Sequence, residues 1–359
     1  MITFIHINKV SSLTNVLYHS KGFARGVKYI QIKPGCQGKW SVDSPASGFR
    51  ARRKVPLSEG DTDLMKIWSN YHIAHSVEEA LGLLSTSPQP ALPVGGGTDL
   101  LLEVQQGIKP VVPTLVDLSQ IPELITIEKR SGQLFIGAAA PINKITNSPL
   151  VQHHALAVSE ACNLIGGPQV RNTATLGGNV AHALPAADGM ISLVAMQTCV
   201  EIAGKDGRRQ EPILNLFRGP GVSALEAGKE LLVGFYLPLR RQNQASAFDR
   251  VMRPQGVALP ILNIAVWLER EADLIRDIRI AIGPSGPTPR RASALEEFMK
   301  GKTLCEEVFL QAKRVLQETV SFRTSPRRAT AEYRYYLAGH LLVDVIVKAW
   351  NRAEQVGEE

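Results

Sequence analysis

The residues best placed to do chemistry in this 359-residue chain are glycines. Gly95-Gly96-Gly97 stands between an apolar run ending at Val94 and the polar start Thr98-Asp99-Leu100. Gly177-Gly178 stands in Thr175-Leu176-Gly177-Gly178-Asn179. A run of glycines loses much backbone entropy on folding unless the chain must take a positive φ or approach another group closely. Successive N–H groups in such a turn can cradle an anion, and a helix start behind them adds positive potential. The triplet alone is equally compatible with a plain tight turn. Asp188, just ahead of the apolar stretch from Met190, is either a helix N-cap or an acceptor for ribose-like or ribityl hydroxyls. Two anion-cradling turns some 80 residues apart suggest a pyrophosphate held between them.

Other candidates carry less. A GxGxxG fingerprint would need glycine at Leu100, and a P-loop ending in Gly301-Lys302-Thr303 would need one at Glu296. His153-His154 has no acid or cysteine at ligand spacing and reads as a surface pair, so no metal site is expected. Tyr333, Tyr335, Tyr336 and Trp350 read as helix packing.

The elements around the turns are short. Ser76-Val77-Glu78-Glu79 is a capping box opening a helix with Ala80, Leu81, Leu83 and Leu84 on one face. Strands are expected at 91–94, 115–118, 199–203 and 231–237, with a hairpin about Arg130-Ser131-Gly132. A helix over 156–165 is stopped by Gly166-Gly167-Pro168, and another runs over 190–196. Farther on, 261–268 and 278–282 read as strands of one antiparallel sheet, and 293–299, 306–319 and 331–352 as helices. The fold class is α+β, without the regular βαβ alternation of a doubly wound sheet.

Composition sets the frame. Hydrophobic residues make up 44% and charged residues 20%, which is ordinary globular usage and excludes a collagen, a coiled coil or a disordered tail. The net charge of +7 is uneven: residues 1–64 hold ten Lys/Arg against four Asp/Glu, leaving the body near neutral and without the footprint of a nucleic-acid-binding face. Residues 1–64 therefore read as a basic extension, disordered or outside the functional chain. Cysteines 36, 162, 199 and 305 lack CxxC spacing, which argues against a local cluster or zinc motif and for a reducing compartment, hence a cytoplasmic location. No apolar run approaches a membrane span.

With these residues in view, the sequence resembles the FAD-binding subunit of molybdenum hydroxylases, the group containing xanthine dehydrogenase and carbon monoxide dehydrogenase. The matching pieces are 94–100, 134–139, 169–179 with Asp188, and 230–238, and the last third is similar to that family's C-terminal flavoprotein domain. The resemblance implies a two-lobed FAD-binding domain over 65–240, a C-terminal domain of antiparallel sheet plus helices over 241–350, and a tail at 351–359. It implies non-covalent FAD, with the pyrophosphate held by Val94, Gly95, Gly96, Gly97, Thr98, Asp99 and Leu100 and by Thr175, Leu176, Gly177, Gly178 and Asn179. Asp188 would take ribityl or ribose oxygens, Ile165 would sit by the adenine, and Leu232 would line the flavin. A lysine common in the family is replaced by Asp249, with Arg250 and Arg253 nearby. The implied partners are a large molybdopterin-binding subunit and a small [2Fe–2S] subunit, with NAD as electron acceptor. A carbon monoxide or aldehyde dehydrogenase type with another acceptor, and a free-standing flavin oxidoreductase, are the alternatives.

Overall fold

The computed structural model describes residues 67–253, 259–326 and 328–354, together with the backbone of three strands in a separate N-terminal unit, residues 1–61. In that unit β1 (Ile5–Val10), β2 (Leu13–Tyr18) and β3 (Ile30–Gln31) pair antiparallel; the rest of the basic extension lies outside the described residues. The second unit, residues 62–359, holds the other described elements.

Its first lobe is a small parallel sheet. Strand β4 (Trp68–Ile73), helix α1 (Val77–Thr86), β5 (Ala91–Val94), α2 (Leu100–Gln105) and β6 (Val112–Asp117) give the strand order β4-β6-β5. The capping box forms: Ser76 Oγ accepts from the Glu79 amide at 3.0 Å, and Glu79 Oε2 accepts from the His75 amide at 2.7 Å. Two βαβ steps result: β5-α2-β6 follows the strands expected at 91–94 and 115–118, whereas β4, which opens the other, was not expected because its residues show no hydrophobic alternation.

The second lobe is antiparallel. Helix α3 (Pro122–Ile125) leads into β7 (Ile127–Arg130) and β8 (Gln133–Gly137), joined by a two-residue turn with positive φ at Ser131 and Gly132. Both central residues at positive φ match the strand twist, which is why Arg130-Ser131-Gly132 marks a hairpin. Short helices α4 (Ile142–Thr146), α5 (Pro149–His154), α6 (Leu156–Asn163), α7 (Pro168–Arg171), α8 (Leu176–Ala181) and α9 (Asp188–Ala195) follow. Next come β9 (Cys199–Gly204), β10 (Gly207–Pro212), the small pair β11 (Phe217–Gly219) and β12 (Val222–Ser223), and β13 (Glu230–Pro238). The main sheet has the order β10-β9-β13-β8-β7.

The last third pairs β14 (Gln244–Met252), β15 (Pro260–Glu271) and β16 (Leu274–Gly283) into one antiparallel sheet, backed by α10 (Ser293–Met299), α11 (Glu306–Thr319) and α12 (Ala331–Glu354). The central core does not respect the boundary near 240. Met190, Ile191 and Leu193 of α9 share it with Phe248, Ala265, Trp267 and Ala281 of this sheet. No helix among the described residues is long and apolar enough to cross a membrane. The expectation that this is an α+β protein with a C-terminal sheet-and-helix domain is met.

Candidate functional site

Chain direction reverses at the end of β5, where the carbonyl of Val94 accepts from the Leu118 amide at 2.9 Å. Gly97 then takes φ +65°, and its carbonyl receives the Leu101 amide at 2.9 Å to start α2. Between these points the amides of Gly95, Gly96, Gly97, Thr98 and Asp99 donate to no acceptor among the described residues. Successive unpaired donors in such a turn can cradle an anion, and Gly95, Gly96 and Gly97 face a cleft.

The second glycine segment presses against the first. A Cβ on Gly96 would stand 2.0 Å from the Thr173 carbonyl oxygen, and one on Gly95 2.8 Å from Thr175 Oγ1. The first-turn glycines are thus fixed by neighbouring protein as much as by any ligand. Thr175 caps α8, its Oγ1 accepting from the Gly178 amide at 3.1 Å. The Gly177 amide donates to Ala138 at 2.8 Å and the Asn179 amide to Thr175 at 3.1 Å. The amides of Gly177, Gly178 and Asn179 are therefore used within the protein, and only Thr175 among residues 175–179 reaches the cleft.

That cleft has a volume of about 440 Å³. The glycine turn forms one wall, Thr173 and Thr175 another, and the sequence reading missed a third, made by Trp68, Tyr71 and Asp117. Tyr71 donates its hydroxyl to Asp117 Oδ2 at 2.6 Å; burial and this carboxylate push the phenol up to about 12. Exposure alternates strictly along β4, but polar Asn70 and His72 take inner positions while Tyr71 and Ile73 are exposed, so no hydrophobic pattern marked Trp68 or Tyr71.

The remaining predicted residues lie apart from this cleft. Asp188 is the first residue of α9, behind an N-cap at Ala187, so the capping alternative is not realised. It is 4% exposed, receives Asn263 Nδ2 at 2.7 Å on Oδ1, and pairs through Oδ2 with the Arg250 guanidinium. Burial drives its carboxyl upward against the pull of Arg250 and Asn263. Burial and the Asp188 charge likewise push the Cys162 thiol far above its ordinary range. Asp249 Oδ1 accepts from the Arg250 amide at 2.8 Å, while Arg253 donates to the Arg328 carbonyl. Leu232 is buried in the central core, with Ile165 packed against it at the end of α6. Around Asp188, Arg250 Nε and Asn179 Oδ1 are buried and have no hydrogen-bond partner among the described residues.

A cradle of unpaired amides, a hydroxyl-lined wall, an aromatic wall, and separately a buried donor and acceptor suit an elongated ligand with an anionic middle. Two family models divide the chain accordingly. One, described as the FAD binding domain in molybdopterin dehydrogenase, matches residues 65–240; the other, the CO dehydrogenase flavoprotein C-terminal domain, matches 246–349. The carbon monoxide dehydrogenase medium chain of Hydrogenophaga pseudoflava is 30% identical over 79% of this chain and 97% of its own length.

The chain belongs to the FAD-binding medium subunits of the molybdenum hydroxylases.

The nicotine 6-hydroxylase medium subunit of Paenarthrobacter nicotinovorans is 31% identical, covering 77% of this chain and 95% of its own. A solved structure of carbon monoxide dehydrogenase from Hydrogenophaga pseudoflava superposes with a TM-score of 0.74 at 29% identity, over 79% of this chain and 97% of that one. A medium subunit of this kind is a component of an oxidoreductase. The matched region begins at residue 65, so the basic extension lies outside it.

Proposed function

We propose that this chain is the electron-transfer subunit of a heteromeric molybdenum hydroxylase. In this reading it works beside a large molybdopterin-binding subunit and a small [2Fe–2S] subunit and delivers electrons to NAD. The observation that carries the cofactor reading is the run of unpaired amides from Gly95 to Asp99, whose first three residues line the cleft. The names of the relatives, medium chain and medium subunit, support the partner assignment. When bound, FAD supplies one-electron exchange with an iron–sulfur cluster and two-electron hydride exchange with a nicotinamide.

The protein's part is to hold and orient. Between Val94 and Leu100, the glycine turn presents its free amides to the diphosphate. Thr175 Oγ1 already accepts from Gly178, and its hydroxyl proton remains to donate to a phosphate oxygen. Leu176 to Asn179 serve indirectly, by building the helix start that places Thr175. Asp188 has lone pairs left after its bonds to Arg250 and Asn263, which suit a ribityl hydroxyl. Ile165 and Leu232 supply apolar surface. Arg250, pinned by Asp188, brings a cation to the strand where Asp249 replaces the usual lysine.

The test is anaerobic mixing of the purified, FAD-loaded chain. NADH should bleach the flavin absorption, whereas purines and aldehydes should leave it unchanged until the other two subunits are added. Bleaching by a purine or aldehyde with this chain alone would favour a free-standing oxidoreductase. No response to NADH would reject NAD as acceptor.

A further inference from the structure

Helix α8 ends at His182, whose ring turns onto the helix behind the first glycine turn. Nε2 lies 3.1 Å from Glu103 Oε1, and Nδ1 lies 3.6 Å from Asp99 Oδ2. The second oxygen of Glu103 is 2.7 Å from Lys109 Nζ. Asp99 is the N-cap of α2 but makes no capping bond with its side chain, which faces His182 instead. These contacts join the helix of one glycine segment to the helix of the other.

Position matters here because α2 has little stability of its own. Six residues are far below the length at which a helix persists unaided. Its apolar side packs through Val104 and Leu101. The polar tie to α8 adds a second anchor to this helix, which directly follows the glycine turn whose Gly95, Gly96 and Gly97 line the cleft. Charge matters as well. Asp99 and Glu103 bring two negative charges and Lys109 one positive, so a neutral imidazole leaves one net negative charge beside the turn. An imidazolium cancels it. A neutral ring also has one N–H, so one of the two carboxylates then faces a nitrogen lone pair.

We propose that His182 is a positioning residue for FAD, which holds α2 against α8 through Asp99 and Glu103 and, when doubly protonated, offsets the acidic charge next to the bound diphosphate. This rests on the assignment of the Gly95–Asp99 amides to that diphosphate. The sign follows directly. The imidazolium state binds FAD more tightly, so affinity falls as pH rises through the imidazole titration.

The experiment is an FAD titration of the flavin-stripped full-length chain, followed by flavin fluorescence over a pH range that takes imidazole from its charged to its neutral form. Wild type should weaken about three- to tenfold across that range, the size expected of a partly exposed ion-pair cluster. His182→Ala should bind weakly at every pH. His182→Gln, with an N–H for Glu103 but no titrating charge, should recover part of the affinity with a flat profile. Glu103→Gln should reduce the slope. Thermal melts of the flavin-free variants separate lost binding from lost folding; if His182→Ala is unfolded, the flat profile of His182→Gln decides. Wild-type affinity and slope in His182→Ala or His182→Gln would overturn the proposal. A wild-type chain that binds no FAD at any pH would overturn the cofactor assignment itself, and this inference with it.

Discussion

The two glycine segments look alike in sequence and do different work. In the first, the amides of Gly95 to Asp99 find no acceptor among the described residues, and Gly95, Gly96 and Gly97 line the cleft. In the second, Gly177, Gly178 and Asn179 all donate internally, and the segment contributes a hydroxyl and a wall. Glycine served two needs. Gly97 supplies a left-handed turn, whereas Gly96 and Gly177 allow backbone to approach backbone: a Cβ on Gly177 would sit 2.5 Å from the Ala138 carbonyl oxygen. A glycine pair therefore marks close approach without saying whether the approaching group is ligand or protein.

The largest effect expected is at the contact between the segments. Gly96→Ala would drive a methyl into the Thr173 carbonyl, and this chain should lose about 3 kcal/mol or more in urea denaturation together with measurable FAD binding. Full stability in that variant would mean that the segments do not touch. Gly97→Ala is milder. A Cβ at φ +65° costs about 1–2 kcal/mol, and the tilted amides should weaken FAD about tenfold, equivalent to about 1.4 kcal/mol, in a fluorescence titration.

Acid should separate the segments next. Burial works to raise the Glu103 carboxyl, but Lys109 and His182 outweigh it and hold it below the usual carboxylate range. A lowered native pKa contributes stability that is complete above the ordinary carboxylate range and lost as pH falls through the native value. Hydrogen-exchange protection of α2 should therefore decline on acidification before that of α8, which has no carboxylate of its own. Equal loss in both helices would remove this distinction. The smallest effect belongs to Gly178→Ala. The new methyl meets only Thr175 Oγ1, at 3.1 Å, and alanine favours the helix, so stability should stay within about 1 kcal/mol. FAD affinity should hardly change; a loss as large as that of Gly97→Ala would show that the second segment also gives its amides to the ligand.

Much of this was legible in the residues. The capping box at Ser76, the hairpin at Ser131-Gly132 and the helices of the last third follow from local rules, and the structure keeps them within a few residues. The glycine turns were legible as close-approach points. What escaped depends on partners distant in the chain. Tyr71 meets Asp117 only because β4 lies beside β6. Asp188 looked like a free acceptor, yet Arg250 and Asn263 arrive from strands more than sixty residues later. Periodicity did not mark strand β14, since burial on both faces over Gln244–Phe248 erases the alternation that would announce it.

The shared core around α9 bears on how the chain is made. Protein synthesis delivers residues in order, and domains generally fold as units while the chain emerges. Here the flavin domain ends at β13, but α6 packs against β14, and α9, which carries Met190, Ile191 and Leu193, packs against β15 and β16. The nascent first domain thus carries an uncovered apolar face until the third of those strands has left the ribosome. Asp188 waits for Arg250 of β14 and Asn263 of β15.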